Sequence, residues 1–291
     1  MLKAIIECAR PHQWLKNGFV FIGPVFAHRW DAETLGLSAL VFVSFCLISS
    51  AVYVLNDIFD LHSDRAHPIK RLRPLPSGKI SIPAAWMLSV GLALPALALS
   101  ALTSLWALLF VVLYVLCNIG YSMSWKHVAV LDVFLISLGF MLRILTGTIG
   151  LGIAPSSWLL LTGLMVTLFL GFAKRWAEIR MLNNAEHRNP APTRQVLSHY
   201  SPAMIDLYMA VSAACTIMTY SLYAASPETA ARLGTNALIF TIPLVVYGIF
   251  RYIYLLHSKG KGHDAARDLY NDPHLLITFL IWLAATLVVL A

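Results

Sequence analysis

The sequence predicts an all-α, polytopic membrane protein with nine transmembrane helices, and three observations support this fold class. Hydrophobic residues make up 59% of the 291 residues, and the mean hydropathy is +0.74. Charged residues make up only 12%, against roughly 25% in ordinary soluble domains. Several apolar windows have a length of about 20 residues, which is the length that crosses the hydrocarbon core as a helix.

Nine apolar windows define the predicted helices in chain order: 15–30, 35–57, 82–102, 104–122, 129–150, 156–175, 203–225, 236–257 and 273–290. The first is the weakest, because it is short and contains Gly18, Gly23 and Pro24. Residues 58–81 and 174–202 are the two largest polar insertions, and they predict a polar cytosolic cap over the bundle. No linker or soluble domain interrupts the pattern, so we expect a single membrane-embedded domain over residues 1–291.

The basic residues predict the orientation of these helices. If the polar cap lies on the same side as the N-terminus, that side holds all but three of the 21 lysines and arginines, namely Arg29, Arg143 and Arg232. The positive-inside rule then makes the N-terminus and the cap cytoplasmic, and we expect the cell inner (plasma) membrane. The net charge of +7 does not indicate nucleic-acid binding, because the bases fall in short gaps between apolar runs and form no stripe.

Three aspartates follow the second window and carry the most specific chemical signal in the chain. Asp57, Asp60 and Asp64 are spaced i, i+3 and i+7, so on a helix their carboxylates share one face. Like charges at that distance repel each other, so a cation should lie among them. Mg²⁺ prefers one or two protein carboxylates together with substrate phosphates. The spacing therefore favours a magnesium–diphosphate site at the membrane surface over an ordinary solvated loop.

The aspartates have polar and basic neighbours that suit the same site. Asn56 precedes Asp57 at the deep end of the apolar window, where polar groups are costly. A basic run follows the aspartates and would hold the phosphates: Lys70, Arg71 and Arg73.

A second polar group lies at the edge of the first predicted helix. Four side chains fall near one helical face and form the donor set that an anionic substrate requires: Arg10, Gln13, Lys16 and Asn17. Trp14 and the cations also have an ordinary explanation as an interfacial anchor, and both interpretations stay open.

A third group follows the fourth predicted helix. Tyr121 lies at the end of that helix, Lys126 lies in the short polar segment after it, and Arg143 lies within the next helix. A charged residue inside a span is by default a functional hypothesis. Arg143 either pairs with an acid such as Asp57 or reaches a substrate phosphate.

The fourth group lies at the end of the sixth predicted helix. Lys174 and Glu178 are four residues apart and pair with each other in the simplest interpretation. In the alternative, Lys174 and Arg175 clamp a phosphate.

The aspartate pattern Asn56-Asp57-x-x-Asp60-x-x-x-Asp64 resembles the first aspartate-rich motif of the UbiA superfamily of intramembrane prenyltransferases, whose aspartates bind Mg²⁺ and a diphosphate. Five further segments resemble the decaprenyl-phosphate phosphoribosyltransferase branch of that superfamily: Arg10-Pro-x-Gln-Trp-x-Lys-Asn17, His67-Pro-x-Lys-Arg-x-Arg-Pro74, Tyr121-Ser122 with Lys126-His127, Lys174-Arg175-x-x-Glu178, and Thr241-Ile-Pro with Arg251-Tyr252. The resemblance runs from about residue 9 to 280, nearly the whole chain.

The resemblance implies a UbiA-like bundle whose donor is 5-phosphoribosyl 1-diphosphate and whose acceptor is a polyprenyl phosphate lipid in the bilayer. The products would be polyprenyl-phosphoryl 5-phosphoribose and pyrophosphate. Asp57, Asp60 and Asp64 would hold Mg²⁺ on the diphosphate, and Asn56 would orient the ligands or the ribose. The remaining motif residues would bind the substrates, with Lys174 and Arg175 on the donor and the group of Arg10, Gln13, Lys16 and Arg143 near the lipid phosphate.

Two other functions compete with this one. An ordinary UbiA-type enzyme would move a prenyl group from prenyl diphosphate to an aromatic acceptor, but such enzymes usually carry a second aspartate-rich motif after the sixth helix. This chain has Lys174, Arg175, Glu178 and Arg180 there. A transporter would place its charges near the midplane, whereas these acids gather at one membrane face. A homo-oligomer is compatible with the sequence but is not specified by it.

Overall fold

A computed structural model describes residues 2–67, 69–185, 195–259, 262 and 265–290, and within these residues the chain is helical with no β-strand. Pro68 of the basic segment and residues 186–194 of the second polar insertion lie outside the described residues. The helices form two compact units, the first running to Ala154 and the second beginning at Pro155, with Gln195 and Val196 grouped with the first.

The first unit contains seven α-helices: α1 (Leu2–Ala9), α2 (Ile22–Phe26), α3 (Ala32–Phe59), α4 (Leu61–Ala66), α5 (Ile82–Thr103), α6 (Leu105–Met123) and α7 (Leu131–Thr146). Its 3-10 helices are Pro11–Phe21, Lys70–Leu72, Trp125–His127 and Ile149–Leu151. The second unit contains α8 (Ser157–Ala185), α9 (Pro202–Ala225), α10 (Pro227–Leu233), α11 (Ile242–Lys259), α12 (Ala265–Asn271) and α13 (Pro273–Leu290), with a 3-10 helix at Ala237–Thr241. A further 3-10 helix, Gln195–His199, precedes α9.

Eight helices within the described residues are long and apolar enough to cross a membrane: Ala32–Phe59, Ile82–Thr103, Leu105–Met123, Leu131–Leu151, Ser157–Arg180, Pro202–Ala225, Ala237–Ser258 and Pro273–Leu290. They coincide with the second to ninth predicted windows. The prediction of an all-α, polytopic fold is confirmed.

The first predicted window, residues 15–30, differs from a regular transmembrane helix. It forms the second half of the 3-10 helix Pro11–Phe21 and then the short helix α2. Here the backbone packs directly against the end of α7, because a β-carbon on Gly147 would overlap the carbonyl oxygen of Val20. A β-carbon on Gly23 would overlap the carbonyl oxygen of Gly147. Glycine therefore permits this close contact and also weakens the helix that was predicted.

Side-chain caps fix where several spans begin. Asp31, Ser81, Ser104 and Ser201 each accept a hydrogen bond from the backbone N–H three residues later, at the starts of α3, α5, α6 and α9. Such caps satisfy N–H groups that have no partner within the helix. The α3 helix has 28 residues and is about 42 Å long at 1.5 Å per residue. It is longer than the hydrocarbon core of about 30 Å, so it is more than long enough to cross that core.

The core of the first unit holds α3 in place. Buried apolar side chains from the 3-10 helix Pro11–Phe21 and from α3, α5, α6 and α7 form one cluster: Val20, Val41, Phe45, Ile48, Val52, Ala96, Phe110, Val111, Tyr114 and Leu142. A second cluster supports the chain around the aspartates: Ala4, Cys8, Val54, Leu61, Leu75, Ile80 and Ala85. The polar end of α3 is thus anchored on both sides.

Candidate active site

The aspartate segment forms a nearly continuous helical path with a break at Asp60. The α3 helix ends at Phe59 and α4 begins at Leu61, yet the Asp60 N–H still donates to the Asn56 carbonyl at 2.9 Å, and the Asp64 N–H donates to the Asp60 carbonyl at 2.8 Å. Seven residues make about two turns at 3.6 residues per turn, so Asp57 and Asp64 face the same way. Asp60 is rotated away from them by roughly 60° on the same helical geometry.

Asp57 and Asp64 are buried and are neutralised by cations of the chain itself. Their exposed fractions are 3% and 1%. The Arg73 Nη1 atom contacts both carboxylates, at 3.1 Å from Asp57 Oδ1 and 2.7 Å from Asp64 Oδ2. Arg10 Nη2 lies 2.5 Å from Asp57 Oδ1, and Lys70 Nζ lies 3.5 Å from Asp64 Oδ1. The repulsion that the spacing predicts is thus relieved by Arg10, Lys70 and Arg73.

Asp60 and Asn56 turn towards the end of α6. Lys126 Nζ donates to Asp60 Oδ1 at 2.6 Å. Ser122 Oγ donates to Asn56 Oδ1. Ser122 and Lys126 are four residues apart, and Tyr121 is half-buried beside Ser122. The structure therefore brings Lys126 of the third predicted group to the aspartate segment, and Ser122 joins it as a residue that the predicted site set lacks.

The 3-10 geometry of residues 11–21 separates the residues of the second predicted group. At three residues per turn, Gln13 and Lys16 lie on one face, where the Lys16 ammonium donates to the Gln13 amide oxygen. Trp14 and Asn17 share another face, which packs on α3. Trp14 Nε1 donates to Ser50 Oγ at 3.0 Å, and the Asn17 amide is completely buried. Asn17 therefore leaves the face on which the α-helical spacing placed it.

Arg143 is buried in α7, and its guanidinium donates hydrogen bonds to an amide, a backbone carbonyl and a phenol oxygen. Its Nε donates to Asn17 Oδ1 at 2.8 Å, its Nη1 to the Gly139 carbonyl at 2.7 Å and its Nη2 to Tyr114 Oη at 3.1 Å. The guanidinium also lies over three aromatic rings, those of Phe45, Tyr114 and Phe140. Neither the expected pairing with Asp57 nor an open approach for a phosphate is found.

Arg143 and Asn17 were expected to contact the substrates, but the structure places both of them in the interior. Each uses its polar atoms on buried partners: Asn17 also donates to Ser49 Oγ at 3.3 Å and contacts Cys46 Sγ at 3.4 Å. The hydrogen bond from Arg143 to Asn17 joins α7 to the 3-10 helix Pro11–Phe21. The pair therefore fixes the segment that carries Gln13 and Lys16.

His67 shapes the loop between the aspartates and the basic run. Its Nδ1 accepts hydrogen bonds from the backbone N–H groups of Ile69 at 3.2 Å and Lys70 at 3.3 Å. Burial lowers the pKa of His67 below its ordinary value, and the nearby Lys70 lowers it further. The ring is therefore neutral at pH 7. Arg71, in the same loop, is exposed.

The fourth predicted group belongs to the second unit. Arg175 is completely buried in α8, and its Nη1 donates to the Glu178 carboxylate one turn later. Lys174, beside it, is half-buried. Arg180 lies over the Trp176 ring and donates to the His257 carbonyl at 2.6 Å. The charges of this fourth group therefore lie on α8, and Arg180 adds one contact to α11.

The aspartates offer the right donors for a magnesium ion, although the described residues contain no cluster of three or more His, Cys, Asp or Glu arranged as metal ligands. The position of Arg73 Nη1 tests whether Asp57 and Asp64 can share one cation, because this single atom contacts both carboxylates. A cation can thus lie between these carboxylates. Mg²⁺ prefers one or two protein carboxylates and takes its other ligands from substrate phosphates and water. Asp57 and Asp64 therefore fit the ion. Asp60 lies close by in sequence.

Sequence reasoning missed some partners that helical spacing could have indicated. Tyr53 lies four residues before Asp57 on α3, and its ring supports the Arg10 guanidinium at 5.1 Å. Ser122 lies four residues before Lys126. Among the rings around Arg143, Phe140 precedes it by three residues on α7 and had the same signal, whereas Phe45 and Tyr114 come from α3 and α6 and had none.

Comparison with curated proteins finds similar chains over almost the whole length. The decaprenyl-phosphate phosphoribosyltransferase of Corynebacterium glutamicum is 35% identical over 284 residues, which cover 96% of this chain and 84% of that protein. The protein of the same name from Mycolicibacterium smegmatis is 29% identical over 293 residues, covering 97% and 91%.

Comparison with solved structures finds the same fold. A UbiA homologue from Archaeoglobus fulgidus bound to GPP and Mg²⁺ superimposes with a TM-score of 0.70 at 18% identity, covering 99% of both chains. The model of the UbiA prenyltransferase family matches residues 18–272. The chain is thus a multi-pass membrane protein, and it belongs to the UbiA prenyltransferase family.

Proposed function

We propose that this protein transfers 5-phosphoribose from 5-phosphoribosyl 1-diphosphate to a polyprenyl phosphate, giving polyprenyl-phosphoryl 5-phosphoribose and pyrophosphate. The observation that carries the proposal is the alternation of acids and cations at the end of α3. There Asp57, Asp60 and Asp64 each contact at least one lysine or arginine. Such a site provides oxygen ligands for a metal and cations for several phosphates at once, and the names of the relatives support this donor and this acceptor.

The reaction needs a good leaving group and little proton transfer. A phosphate oxygen of the acceptor attacks C1 of the ribose, the bond from C1 to the diphosphate oxygen breaks, and pyrophosphate leaves with the electron pair. Bound Mg²⁺, held by Asp57 and Asp64 with Asp60, would supply charge neutralisation on the diphosphate. The acceptor phosphate is already ionised at pH 7, so no general base is required. His67, being neutral, serves at most as a contact.

The cations divide between the substrates in this proposal. Lys70, Arg71 and Arg73 neutralise the donor diphosphate, since charge-assisted bonds to phosphate are short and strong. Gln13 and Lys16, which are half-buried on one face of their 3-10 helix, are assigned to the lipid phosphate. Asn56 orients the ribose or the ligands through its bond to Ser122. Asn17 and Arg143 position this segment and do not bind the substrates themselves.

Two basic residues of α8 are assigned to the other end of the donor. Lys174 on α8 is proposed to hold the 5-phosphate, and Arg175, which is completely buried and bonded to Glu178, is proposed to position that turn of the helix. The absence of a second aspartate-rich motif from this part of the sequence supports the assignment, because a 5-phosphate needs cations and no further metal ligand.

The proposed setting is the inner (plasma) membrane, with the N-terminus and the aspartates on the cytoplasmic side. The distribution of lysine and arginine supports this orientation. The water-soluble donor would then be available to the site, and the lipid acceptor would enter from the bilayer. The whole chain, residues 1–291, would act as one transferase domain.

A donor competition in detergent tests the proposal. The purified protein would receive labelled 5-phosphoribosyl 1-diphosphate with a short polyprenyl phosphate, or labelled prenyl diphosphate with an aromatic acid, each with Mg²⁺. We expect a labelled lipid product from the first pair only. Product from the second pair alone would instead support an ordinary UbiA-type prenyltransferase, which the family description favours as the second candidate.

A further inference from the structure

Arg73 occupies the position between the two buried carboxylates. A single atom, Nη1, contacts Asp57 at 3.1 Å and Asp64 at 2.7 Å. The two carboxylate side chains are only 4% and 1% exposed. Two carboxylates so close together in a poorly solvated place repel each other strongly. They need a cation between them even when no substrate is bound, and a guanidinium cannot lose its charge by titration.

The surroundings of Arg73 let its side chain leave, whereas those of Arg10 do not. The Arg73 side chain is 34% exposed and extends from a loop after the 3-10 helix Lys70–Leu72. Arg10, the other partner of Asp57, rests on the Tyr53 ring at 5.1 Å and is 21% exposed. Of the two arginines on Asp57, Arg73 is thus the one that can turn outward while the carboxylates stay in place.

We propose that Arg73 is a placeholder for the metal ion. In the free protein it neutralises Asp57 and Asp64, and in the loaded protein it turns from them to the donor diphosphate. Metal binding without substrate is then weak, because the ion competes with an internal cation. Metal and diphosphate bind favourably together, because the diphosphate supplies the new partner for Arg73. This inference rests on the proposed diphosphate donor but concerns the free protein.

Binding of Mn²⁺ alone, followed by electron paramagnetic resonance in detergent, tests the placeholder. The variants are Arg73→Gln and Arg73→Ala, and the matched control is Arg65→Ala, which removes an exposed arginine of α4. If Arg73 fills the site nine-tenths of the time, its removal should tighten Mn²⁺ binding about tenfold. The control should leave the affinity unchanged, and Asp57→Asn should weaken it.

Unchanged or weaker Mn²⁺ binding by both Arg73 variants would overturn the proposal. Their thermal stability provides a second readout, because a placeholder is dispensable once a metal is bound. We expect Arg73→Gln to melt earlier than the wild type without metal and to regain that loss in Mn²⁺. Variants that fail to fold even in Mn²⁺ would show a purely structural arginine and would also overturn it.

The result of the Mn²⁺ binding experiment can be distinguished from the result of the donor competition. Mn²⁺ binding to the free protein does not depend on which diphosphate is the donor. A transferase that uses prenyl diphosphate could still show the tenfold change, and a phosphoribosyltransferase could still lack it.

Discussion

The buried hydrogen bond between Arg143 and Asn17 should be a strongly coupled pair in folding. Arg143→Met leaves Asn17 Oδ1, which is completely buried, without its 2.8 Å donor. An orphaned buried acceptor costs about 1–3 kcal/mol of unfolding free energy. Asn17→Ala leaves the Nε of a buried guanidinium without its acceptor, and a charged group costs at least as much, about 2–4 kcal/mol. The double variant leaves neither atom unpaired at this contact.

A double-mutant cycle measures this coupling. We expect the double variant to be more stable than the sum of the two single losses by about 1–3 kcal/mol. The unfolding free energy would be measured by reversible SDS titration in mixed micelles. The same cycle on the exposed pair Arg29 and Asp31, whose ion pair spans 3.4 Å, should show almost no coupling. Additive losses at Arg143 and Asn17, within about 0.5 kcal/mol, would refute the positioning role.

Three further predictions concern packing, substrate binding and reactivity. Gly147→Ala should lower the unfolding free energy by about 1–3 kcal/mol or more, because the added carbon overlaps the Val20 carbonyl oxygen in the 3-10 helix Pro11–Phe21. Lys126→Met should raise KM for the donor about tenfold or more, since Asp60 loses a charge-assisted bond. Cys8 should resist maleimide at pH 7 to 8, because burial raises its pKa to about 11; the thiolate fraction, and with it the rate, should keep rising as pH increases past 9.

Each of these has a matched control. Gly91→Ala has open space within 4 Å and should leave the SDS midpoint unchanged or slightly raised. Lys79→Met removes an exposed lysine and should leave KM unchanged. An equal rise in KM for Lys79→Met would show that the effect of Lys126→Met comes from the loss of positive charge and not from the contact with Asp60. For Cys8, a variant with the other three cysteines replaced isolates the signal. A labelling rate that levels off near pH 9 would contradict the shifted pKa.

The sequence could predict the membrane helices because their signal is local. Each window needs only length and hydropathy, and eight windows became spans. The first window failed as a regular helix for a reason that lies elsewhere in the chain. Gly23 packs against Gly147, more than a hundred residues later, and no local pattern reports such a contact.

The part of the candidate site that lies on one helical path could be predicted from residue spacing. The i, i+7 spacing placed Asp57 and Asp64 side by side, and both contact Arg73. The position of Asp60 was less predictable, because the helix breaks there. Arg143 could be identified as unusual from its place inside a span. Its partners on other helices, namely Asn17, Tyr114 and Phe45, could not be named in advance.

The most direct test of the central claim is the rate of pyrophosphate release by the wild type and by Asp57→Asn. Both proteins would receive 5-phosphoribosyl 1-diphosphate, a polyprenyl phosphate and saturating Mg²⁺ in detergent. If the end of α3 activates the donor diphosphate, Asp57→Asn should lose at least about a hundredfold in kcat, the scale of losing one preorganised electrostatic group. Equal turnover by the two proteins would contradict the proposed metal–diphosphate site.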